Sequence, residues 1–388
     1  MMRLALAALS VVLGTCVALE PANAETGVTD HEIVIGAFGV LTGPTYNYGK
    51  TAFDGAEIIY NEVNANGGIN GRQIRFVRED DQCKPDVAVP AIRKLIYDDK
   101  VFMINGGACS NASLAAMPEI VRAEVPWVIV DSTAPQLVDP PKKFIFTTFQ
   151  VGWMETVAQL QHALELGAKK IAIVRQHDAW AESRYPPLLD AMTKRGIKPV
   201  ADEEVAPDVA DTTAAALRVQ ASGADTVLLL LFPQAATVLM RDMYKIGYKP
   251  LVIGGSPLGE VEDMQHAIGI PGATARFQGL APTRSVDDPA VQKYRPLLKK
   301  YFPNAELTPW HLVGIASAQF VVAALKQVGP DLTRDKLNAV MATMSLTPDV
   351  YAGPIKCTPT DHQCYRTVAW YGIVNGKMQQ VGETTLPQ

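Results

Sequence analysis

The chain has 388 residues, more than one ordinary hydrophobic core supports, so its length predicts two domains. A hydrophobic content of 48% with only 19% charged residues excludes an intrinsically disordered chain. The formal net charge of −5 at pH 7 carries no basic excess, and we therefore expect no nucleic-acid partner.

The N-terminus has the pattern of a cleaved secretory signal. The positive start at Arg3 is followed by an apolar stretch from Leu4 to Leu19, and Ala22-Asn23-Ala24 matches the small-residue cleavage site. We therefore expect residues 1–24 to be removed and the mature protein to be exported. The apolar stretch is shorter than the roughly 20 residues that span a bilayer, and we expect no spanning run later in the chain.

Removal of Cys16 with the signal leaves four cysteines, which are Cys83, Cys109, Cys357 and Cys364. An even number of cysteines in an oxidising compartment favours disulfides, and pairing by proximity gives Cys83–Cys109 and Cys357–Cys364. The four include no C-x-x-C pair and no metal-finger spacing, so we expect structural bridges rather than a redox or metal site.

Strands and helices alternate along the rest of the chain. In the first half, strands are predicted at 32–38, 73–78, 101–104 and 126–130, and helices at 48–64, 88–97 and 114–122. In the second half, strands are predicted at 144–148, 170–174, 225–232, 251–254, from 276, and 367–374, and helices at 152–166, 182–195, 235–246, 291–301 and 310–328. This alternation predicts an α/β protein of right-handed βαβ units with mainly parallel sheets. Two such sets without a flexible linker indicate two lobes joined by several crossings of the chain.

The turn at residues 106–113, between a strand and a helix, is a candidate anion site. It reads Gly-Gly-Ala-Cys-Ser-Asn-Ala-Ser and leaves free backbone N–H groups and the Ser110 hydroxyl at a helix start, which suits a carboxylate. The alternative is an ordinary turn with an N-cap, because capping residues are common at helix starts.

Sequence motifs of catalysis are missing from the chain. The six histidines do not pair at the spacing of a zinc helix, and the sequence has no hydrolase elbow, dinucleotide fingerprint or phosphate-binding P-loop. We therefore expect a binding protein that uses neither a metal nor a cofactor, rather than an enzyme.

Five short motifs follow one another along the chain. They are Leu41-Thr42-Gly43-Pro44, Asn66-Gly67-Gly68-Ile69-Asn70-Gly71, Asp80-Asp81-Gln82-Cys83-Lys84-Pro85, the turn at 106–113, and Gly353-Pro354-Ile355. In this combination the chain, from about residue 30 to its C-terminus, resembles the exported solute-binding proteins of the branched-chain amino acid (Leu/Ile/Val) type.

The resemblance implies a type I periplasmic binding protein with two lobes, each a mainly parallel sheet flanked by helices, and with three hinge crossings. One lobe would comprise residues 25–148 and 280–365, and the other 149–279 and 366–388. The lobes would close on a ligand in the periplasm, and the closed monomer would be presented to the permease of an ABC importer at the inner membrane. The family's disulfide corresponds to Cys83–Cys109 and would pin the turn that bears Ser110.

The resemblance also assigns residues to the ligand. Ser110 and Thr133 occupy the places that hold the ligand carboxylate in the family, where two neutral donors supported by backbone N–H groups suffice. The aromatic positions of the family's cleft correspond to Tyr48, with Tyr46 as an alternative, and to Trp180 and Phe232. Trp180 could instead cap a surface helix, and Phe232 could belong to the core.

One position departs from the family pattern. Amino-acid binders of the family place a glutamate after the strand that corresponds to 251–254, where it balances the ligand's ammonium, whereas this chain has Ser256. An ammonium buried without its counter-charge costs on the order of 3–5 kcal/mol. Asp131, or Glu260 if the loop is shifted, would supply that charge, which keeps a branched-chain or other hydrophobic amino acid open as the ligand. Hydrogen-bond donors for a carboxylate, placed between aromatic side chains, favour an acid without an amine, of the benzoate or phenylpropanoid type.

Import is one of two uses that fit such a cleft. A ligand sensor that reports to a signalling partner is the alternative from another functional class, and both stay open at this point.

Overall fold

The computed structural model describes residues 25–43 and 45–387. The predicted signal peptide at 1–24, with Cys16, and Pro44 of the first motif lie outside the described residues. The described chain forms two separate sheets, each covered by helices, and a small two-stranded sheet.

The first sheet is built from five parallel strands in the spatial order β2-β1-β3-β4-β5. These strands are β1 (Glu32–Gly39), β2 (Gln73–Asp80), β3 (Met103–Gly106), β4 (Trp127–Ile129) and β5 (Ile145–Thr147). β3, β4 and β5 are buried at every residue, as expected for a parallel sheet with helices on both faces.

The remaining strands are β6 (Ile171–Gln176), β7 (Ala201–Val205), β8 (Thr226–Leu230), β9 (Leu251–Gly254), β10 (Phe277–Ala281), β11 (Ser345–Leu346), β12 (Ile355–Lys356), β13 (Thr367–Val374) and β14 (Lys377–Thr385). The second sheet has the order β14-β13-β10-β9-β8-β6-β7. β6 to β10 are parallel, whereas β13 and β14 form an antiparallel hairpin against β10. β11 pairs with β12 as the small sheet.

The helices cover the faces of the two large sheets. They are α1 (Ala52–Ala65), α2 (Pro85–Arg93), α3 (Ser110–Arg122), α4 (Gly152–Glu165), α5 (Ala179–Thr193), α6 (Thr213–Ala221), α7 (Pro233–Lys245), α8 (Val261–Ile268), α9 (Tyr294–Tyr301), α10 (Pro309–Val328) and α11 (Arg334–Met341). Short helical turns at Asn47–Thr51, Lys94–Asp98, Pro135–Leu137 and Ser256–Leu258 complete the set.

The predicted α/β class with two mainly parallel sheets is confirmed. Seven elements were missing from the prediction: β7, β11, β12, β14, α6, α8 and α11. β7 reads Ala-Asp-Glu-Glu-Val, and its acidic side chains give no apolar run because it lies at the edge of its sheet. The helix predicted from 114 begins four residues earlier, at Ser110.

The described chain passes from the first sheet to the second after β5. After β10 it returns to the side of the first sheet, where α10 packs against α1, β3 and β4, and it passes back before β13. These passages fall near the predicted lobe bounds of 25–148 with 280–365 and 149–279 with 366–388. The lobe bounds and the hinge role of the passages stay predictions.

Both expected disulfides are present. Cys83 bonds to Cys109 with a Cα–Cα distance of 5.3 Å, and Cys357 bonds to Cys364 with a Cα–Cα distance of 4.4 Å. The first bridge ties the loop after β2 to the residue before α3. The pairing expected from proximity is therefore confirmed.

α10 is an apolar core helix. By length and composition alone it could cross a membrane, which corrects the expectation that no later run is long enough. However, 72% of its apolar window is buried inside the protein, mainly against α1. The apolar surface of α10 is therefore already covered by other parts of the protein.

Two glycines allow α1 and α10 to touch through their backbones. A Cβ atom on Gly314 would overlap the carbonyl oxygen of Ala52, and one on Gly55 would overlap the carbonyl oxygen of His311. Because both obstructing atoms belong to helix backbone, a side chain at either position would push the helices apart.

We expect Gly314→Ala to destabilise the protein by about 3 kcal/mol or more, because overpacking against backbone cannot be relieved by a rotamer change. Urea denaturation followed by circular dichroism measures this free energy of unfolding. Gln327→Ala, at an exposed position of the same helix, is the control and should change stability by less than about 0.5 kcal/mol. An unchanged midpoint for Gly314→Ala would contradict the close crossing.

Candidate ligand-binding site

A cavity of about 1170 Å³ lies between the carboxyl ends of the two large sheets. Loops that follow β3, β4 and β5 form one side, and loops that follow β6, β8 and β9 form the other. Ligands of parallel α/β sheets bind outside the carboxyl ends of the strands. The position of the cavity therefore follows from the strand direction in both sheets.

The structure brings all seven predicted ligand-binding residues to the wall of this cavity. They are Tyr48, Ser110, Asp131, Thr133, Trp180, Phe232 and Ser256. The two alternative residues are not on the wall: Tyr46 is exposed, and Glu260 lies at the start of α8. Burial raises the pKa of Glu260 to about 7, but this carboxyl does not belong to the cavity.

Ser110 is the first residue of α3, and its hydroxyl is not used as a helix cap. Cys109 takes the N-cap position in an extended conformation, and its sulfur is bonded to Cys83. No side-chain capping bond forms here within the described chain, so the ordinary N-cap interpretation is wrong. Ser110 Oγ lies 3.5 Å from the Ser132 hydroxyl, on the cavity wall beside uncapped backbone N–H groups.

The backbone before Ser110 is fixed by a buried tryptophan. Trp127 Nε1 donates a hydrogen bond of 2.9 Å to the carbonyl oxygen of Gly106. Gly107 follows with φ of +90°, and a Cβ atom there would lie 2.7 Å from the Trp127 ring. Only glycine satisfies both conditions, so this turn and the disulfide together set the position of Ser110.

Aromatic rings line both sides of the cavity. On one side the rings of Tyr48 and Trp310 meet edge to face at 4.7 Å, and Phe149 lies 6.3 Å from Trp310. On the other side the rings of Trp180 and Phe232 lie 4.8 Å apart at an angle of 39°. All five residues are on the wall, so Trp180 does not cap a surface helix and Phe232 is not confined to the core.

A buried ion pair belongs to the second-sheet side of the cavity, with Arg184 on the wall and Glu155 behind it. The side chains of Arg184 and Glu155 are 3% and 1% exposed, and Arg184 Nε lies 3.3 Å from Glu155 Oε2. Ser256 Oγ donates to the other carboxylate oxygen of Glu155 at 2.7 Å. Arg184 Nη2 donates to Thr133 Oγ1 at 3.3 Å. Thr133 and Ser256, which sequence analysis treated separately, are thus connected through these two charged residues.

Asp131 faces a second acid. The carboxylate oxygen Asp131 Oδ1 has no hydrogen-bond partner among the described residues, and neither has Asp81 Oδ2. Burial, and next the charge of Asp81, raise the pKa of Asp131 well above its usual range. Burial raises the pKa of Asp81 to about 6, although its Oδ1 accepts a hydrogen bond from the backbone N–H of Cys83.

The phenol of Tyr48 lies in the same buried region of the cavity. Burial, then the charges of Asp131 and Glu155, raise the pKa of Tyr48. This phenol is therefore protonated and able to donate a hydrogen bond at neutral pH.

Sequence reasoning left out several residues around the cavity, among them five that shape the site; it interpreted two of these, Trp153 and Trp310, as core or rim residues. The five are Phe149, Trp153, Glu155, Arg184 and Trp310, of which Glu155 lies behind the wall and the others on it. Trp153 and Trp310 were available as aromatics near predicted helix starts. Arg184 and Glu155 gave no sequence signal, because their burial depends on a pairing across 29 positions of the chain.

Metal binding has no support in the described chain. In residues 25–43 and 45–387, no group of three or more His, Cys, Asp or Glu side chains is arranged to hold an ion.

Sequence comparison relates the chain to binding proteins. Residues 32–377 match a profile described as periplasmic binding protein. The amino acid binding protein of Pseudomonas aeruginosa is 26% identical over 308 residues, which cover 78% of this chain and 81% of that protein. The Leu/Ile/Val-binding protein of Escherichia coli is 24% identical over 288 residues, which cover 74% of this chain and 76% of that protein.

Solved structures with the same fold include two solute binding proteins of ABC transporters from R. palustris. One, in complex with 4-hydroxybenzoate, has a TM-score of 0.74 at 19% identity and covers 91% of this chain and 97% of that chain. The other, in complex with benzoate, has a TM-score of 0.71 at 20% identity, with coverages of 91% and 96%. At these identities the likeness concerns the fold. Relatives and structural neighbours alike are binding proteins, which confirms the expectation that the chain is not an enzyme.

We expect Asp81→Asn to stabilise the protein at pH 7.5 by up to roughly 3 kcal/mol. The folded-state pKa of Asp81, about 6, exceeds its ordinary 3.8, so the folded protein loses stability as pH rises through this window. Asparagine carries no charge, so the cost of burying a carboxylate at this position is removed. Thermal denaturation at pH 7.5 and pH 4 measures the effect, which should largely disappear at pH 4.

Asp80→Asn is the matched control for the neighbouring acid. Hydrogen bonds from the Thr42 hydroxyl and from backbone N–H groups outweigh burial and lower the pKa of Asp80. Asp80→Asn should therefore destabilise at pH 7.5, with the loss shrinking as pH falls. Equal effects of the two substitutions would contradict the proposed difference between these carboxyls.

Proposed function

The chain belongs to the periplasmic binding protein family, and we propose that it captures a small hydrophobic carboxylate, of the aromatic acid type, for import. It is a solute-binding protein of the ABC-transporter type. The ligand would lie in the cavity between the two sheets, and the loaded protein would deliver it to the permease complex at the inner membrane.

The observation that carries this proposal is the composition of the cavity wall. Hydroxyl donors, Ser110 and Thr133, lie on the side of the first sheet, beside the uncapped start of α3. Aromatic pairs, Tyr48 with Trp310 and Trp180 with Phe232, lie on the two sides. Neutral donors and a helix start suit a carboxylate. Flat aromatic surfaces suit an aromatic ring, which gains from offset or edge-to-face contact.

Structural neighbours support this ligand class without deciding it. The two R. palustris proteins with the same fold hold 4-hydroxybenzoate and benzoate, whereas relatives with similar sequence identity are named for leucine, isoleucine and valine. Aromatic acids and aliphatic amino acids are therefore both bound within this fold. The residues that line the cavity must therefore determine which of these two ligand classes binds.

A hydrophobic amino acid is the second candidate because of one observation. Asp131 is 5% exposed, lies on the cavity wall, and has an oxygen without a partner in the described part of the chain. An ammonium would satisfy it. The raised pKa of Asp131 favours the neutral carboxyl instead, which can donate a hydrogen bond to a ligand carboxylate and offers no charge to an amine.

The periplasmic location and the role in import are supported by observations outside the cavity. The N-terminal pattern of a positive start, an apolar stretch and Ala22-Asn23-Ala24 supports a periplasmic location. A sensor that reports to a signalling partner would use the same cavity. Permease and ATPase genes beside the gene of this protein would favour import over sensing.

We expect benzoates or cinnamates to raise the melting temperature of the mature protein, whereas leucine, valine and short aliphatic acids should have little effect. A ligand at one hundred times its Kd should stabilise the folded state by about 2.7 kcal/mol. A thermal-shift screen of the four ligand classes measures this. Stabilisation by leucine or valine but by no aromatic acid would contradict the proposal and favour the amino-acid candidate.

We expect Ser110→Ala to weaken binding of the best aromatic acid by about tenfold or more, because a hydrogen bond to a charged group contributes roughly 1.5–3 kcal/mol. Isothermal titration calorimetry measures the Kd. Ser345→Ala, at an exposed position of β11 outside the cavity, is the control and should leave the Kd unchanged. Equal affinities of the wild type and Ser110→Ala for the ligand would show that Ser110 does not contribute to binding.

A further inference from the structure

Arg184 and Glu155 connect the two sides of the cavity, and neither was assigned to the ligand by sequence or family. We propose that Arg184 determines the charge class of the ligand: it supports binding of a carboxylate beside Thr133 and neutralises Glu155, which would otherwise accept an amine. This inference rests on the proposed function and adds the residue that selects a carboxylate without an ammonium.

The carboxylate half of the inference follows from the hydrogen bond to Thr133. Arg184 Nη2 donates to Thr133 Oγ1 at 3.3 Å, and Thr133 lies on the cavity wall. A hydroxyl that accepts from a guanidinium keeps its own proton free to donate elsewhere. The positive charge next to this hydroxyl also makes the wall more favourable for a negative group. Thr133 is thereby oriented and polarised as a donor to a carboxylate.

The amine half follows from Glu155. Ser256 lines the cavity, and its hydroxyl donates to Glu155 Oε1 at 2.7 Å. A carboxylate therefore stands one hydrogen bond behind the wall at Ser256. Arg184 Nε lies 3.3 Å from the other oxygen of Glu155 and compensates its charge. With Arg184 in place, an ammonium at Ser256 would find no uncompensated negative charge in Glu155.

Three contacts hold Arg184 in this position. The Trp180 ring covers the guanidinium, with Arg184 Cζ 4.2 Å from the ring centroid. Arg184 Nη1 donates to the Trp180 carbonyl oxygen and to the Ser183 hydroxyl, both at 3.3 Å. Gly152 leaves room on the remaining side, because a Cβ atom there would lie 3.1 Å from Arg184 Cζ. The guanidinium is thus built into the wall.

The test compares the wild-type mature protein with Arg184→Met and with the double variant Glu155→Gln/Arg184→Met. Calorimetry with benzoate, phenylalanine and benzylamine at pH 7.5 gives the Kd of each ligand. We expect Arg184→Met to bind benzoate at least about tenfold more weakly and to gain affinity for benzylamine or phenylalanine. The double variant should lose benzoate affinity similarly and gain no amine affinity, because its buried acid is gone.

The double variant also guards against misfolding. Arg184→Met leaves a buried carboxylate without its partner, which destabilises strongly, whereas the double variant buries no charge at this place. If Arg184→Met does not fold, the benzoate affinity of the double variant decides the inference. The ion pair between the exposed Arg218 and Glu203 lies outside the cavity and supplies the controls. Arg218→Met and Glu203→Gln/Arg218→Met should bind every ligand as the wild type does.

The outcomes separate the inference from the proposed function. If the wild type binds benzoate and the Arg184 variants bind it within threefold of the wild type, Arg184 does not select the ligand and only the inference is wrong. Amine binding by the double variant would equally overturn it, since Glu155 could not be the acceptor. If the wild type does not bind benzoate but binds phenylalanine, the proposed function itself is wrong, and the inference with it.

Discussion

The common direction of β1 to β5 in the first sheet, and of β6 to β10 in the second, is the constraint on which the cavity depends. β3 and β4 end in the loops that carry Ser110 and Thr133, while β6, β8 and β9 end in the loops that carry Trp180, Phe232 and Ser256. Because the carboxyl ends of both sheets face the same space, residues distant in sequence meet there without any local contact between them. The glycine crossing of α1 and α10, and the disulfide before α3, then fix the first-sheet side of this space.

The charged groups around the cavity differ in whether a partner compensates the free energy that their burial costs. The opposite charges of Glu155 and Arg184 compensate each other in a place from which water is largely excluded. Asp131 and Asp81 each have an oxygen without a partner in the described chain, and burial therefore raises the pKa of both carboxyls. The wall consequently offers a ligand hydroxyls, aromatic rings and, at Asp131, a carboxyl whose raised pKa favours its neutral form. Together these groups complement a carboxylate better than an amine.

The features that sequence predicts are those with a local pattern. The apolar run of β8 and the alternation of strands and helices predict the two parallel sheets, and the motif around Ser110 predicts its place at a helix start. The N-cap interpretation failed because Cys109, not Ser110, takes the capping position, and its sulfur is bonded to Cys83. Arg184 escaped prediction for a different reason. An arginine in a helix is usually solvent-exposed, and only the fold brings Glu155 to it.

The ion pair also lies next to a passage between the sheets. α4 begins at Gly152, directly after the first passage, and the N–H of Gly152 donates to the Thr133 carbonyl oxygen at 2.9 Å. Glu155 follows one turn later, and Arg184 reaches from α5 to the Thr133 hydroxyl. If the lobes open as the family resemblance implies, α5 would move away from the loop of Thr133 and this last hydrogen bond would break. A carboxylate bound at Thr133 would attract the guanidinium back to it, so the contact that selects the ligand's charge would also favour the closed arrangement.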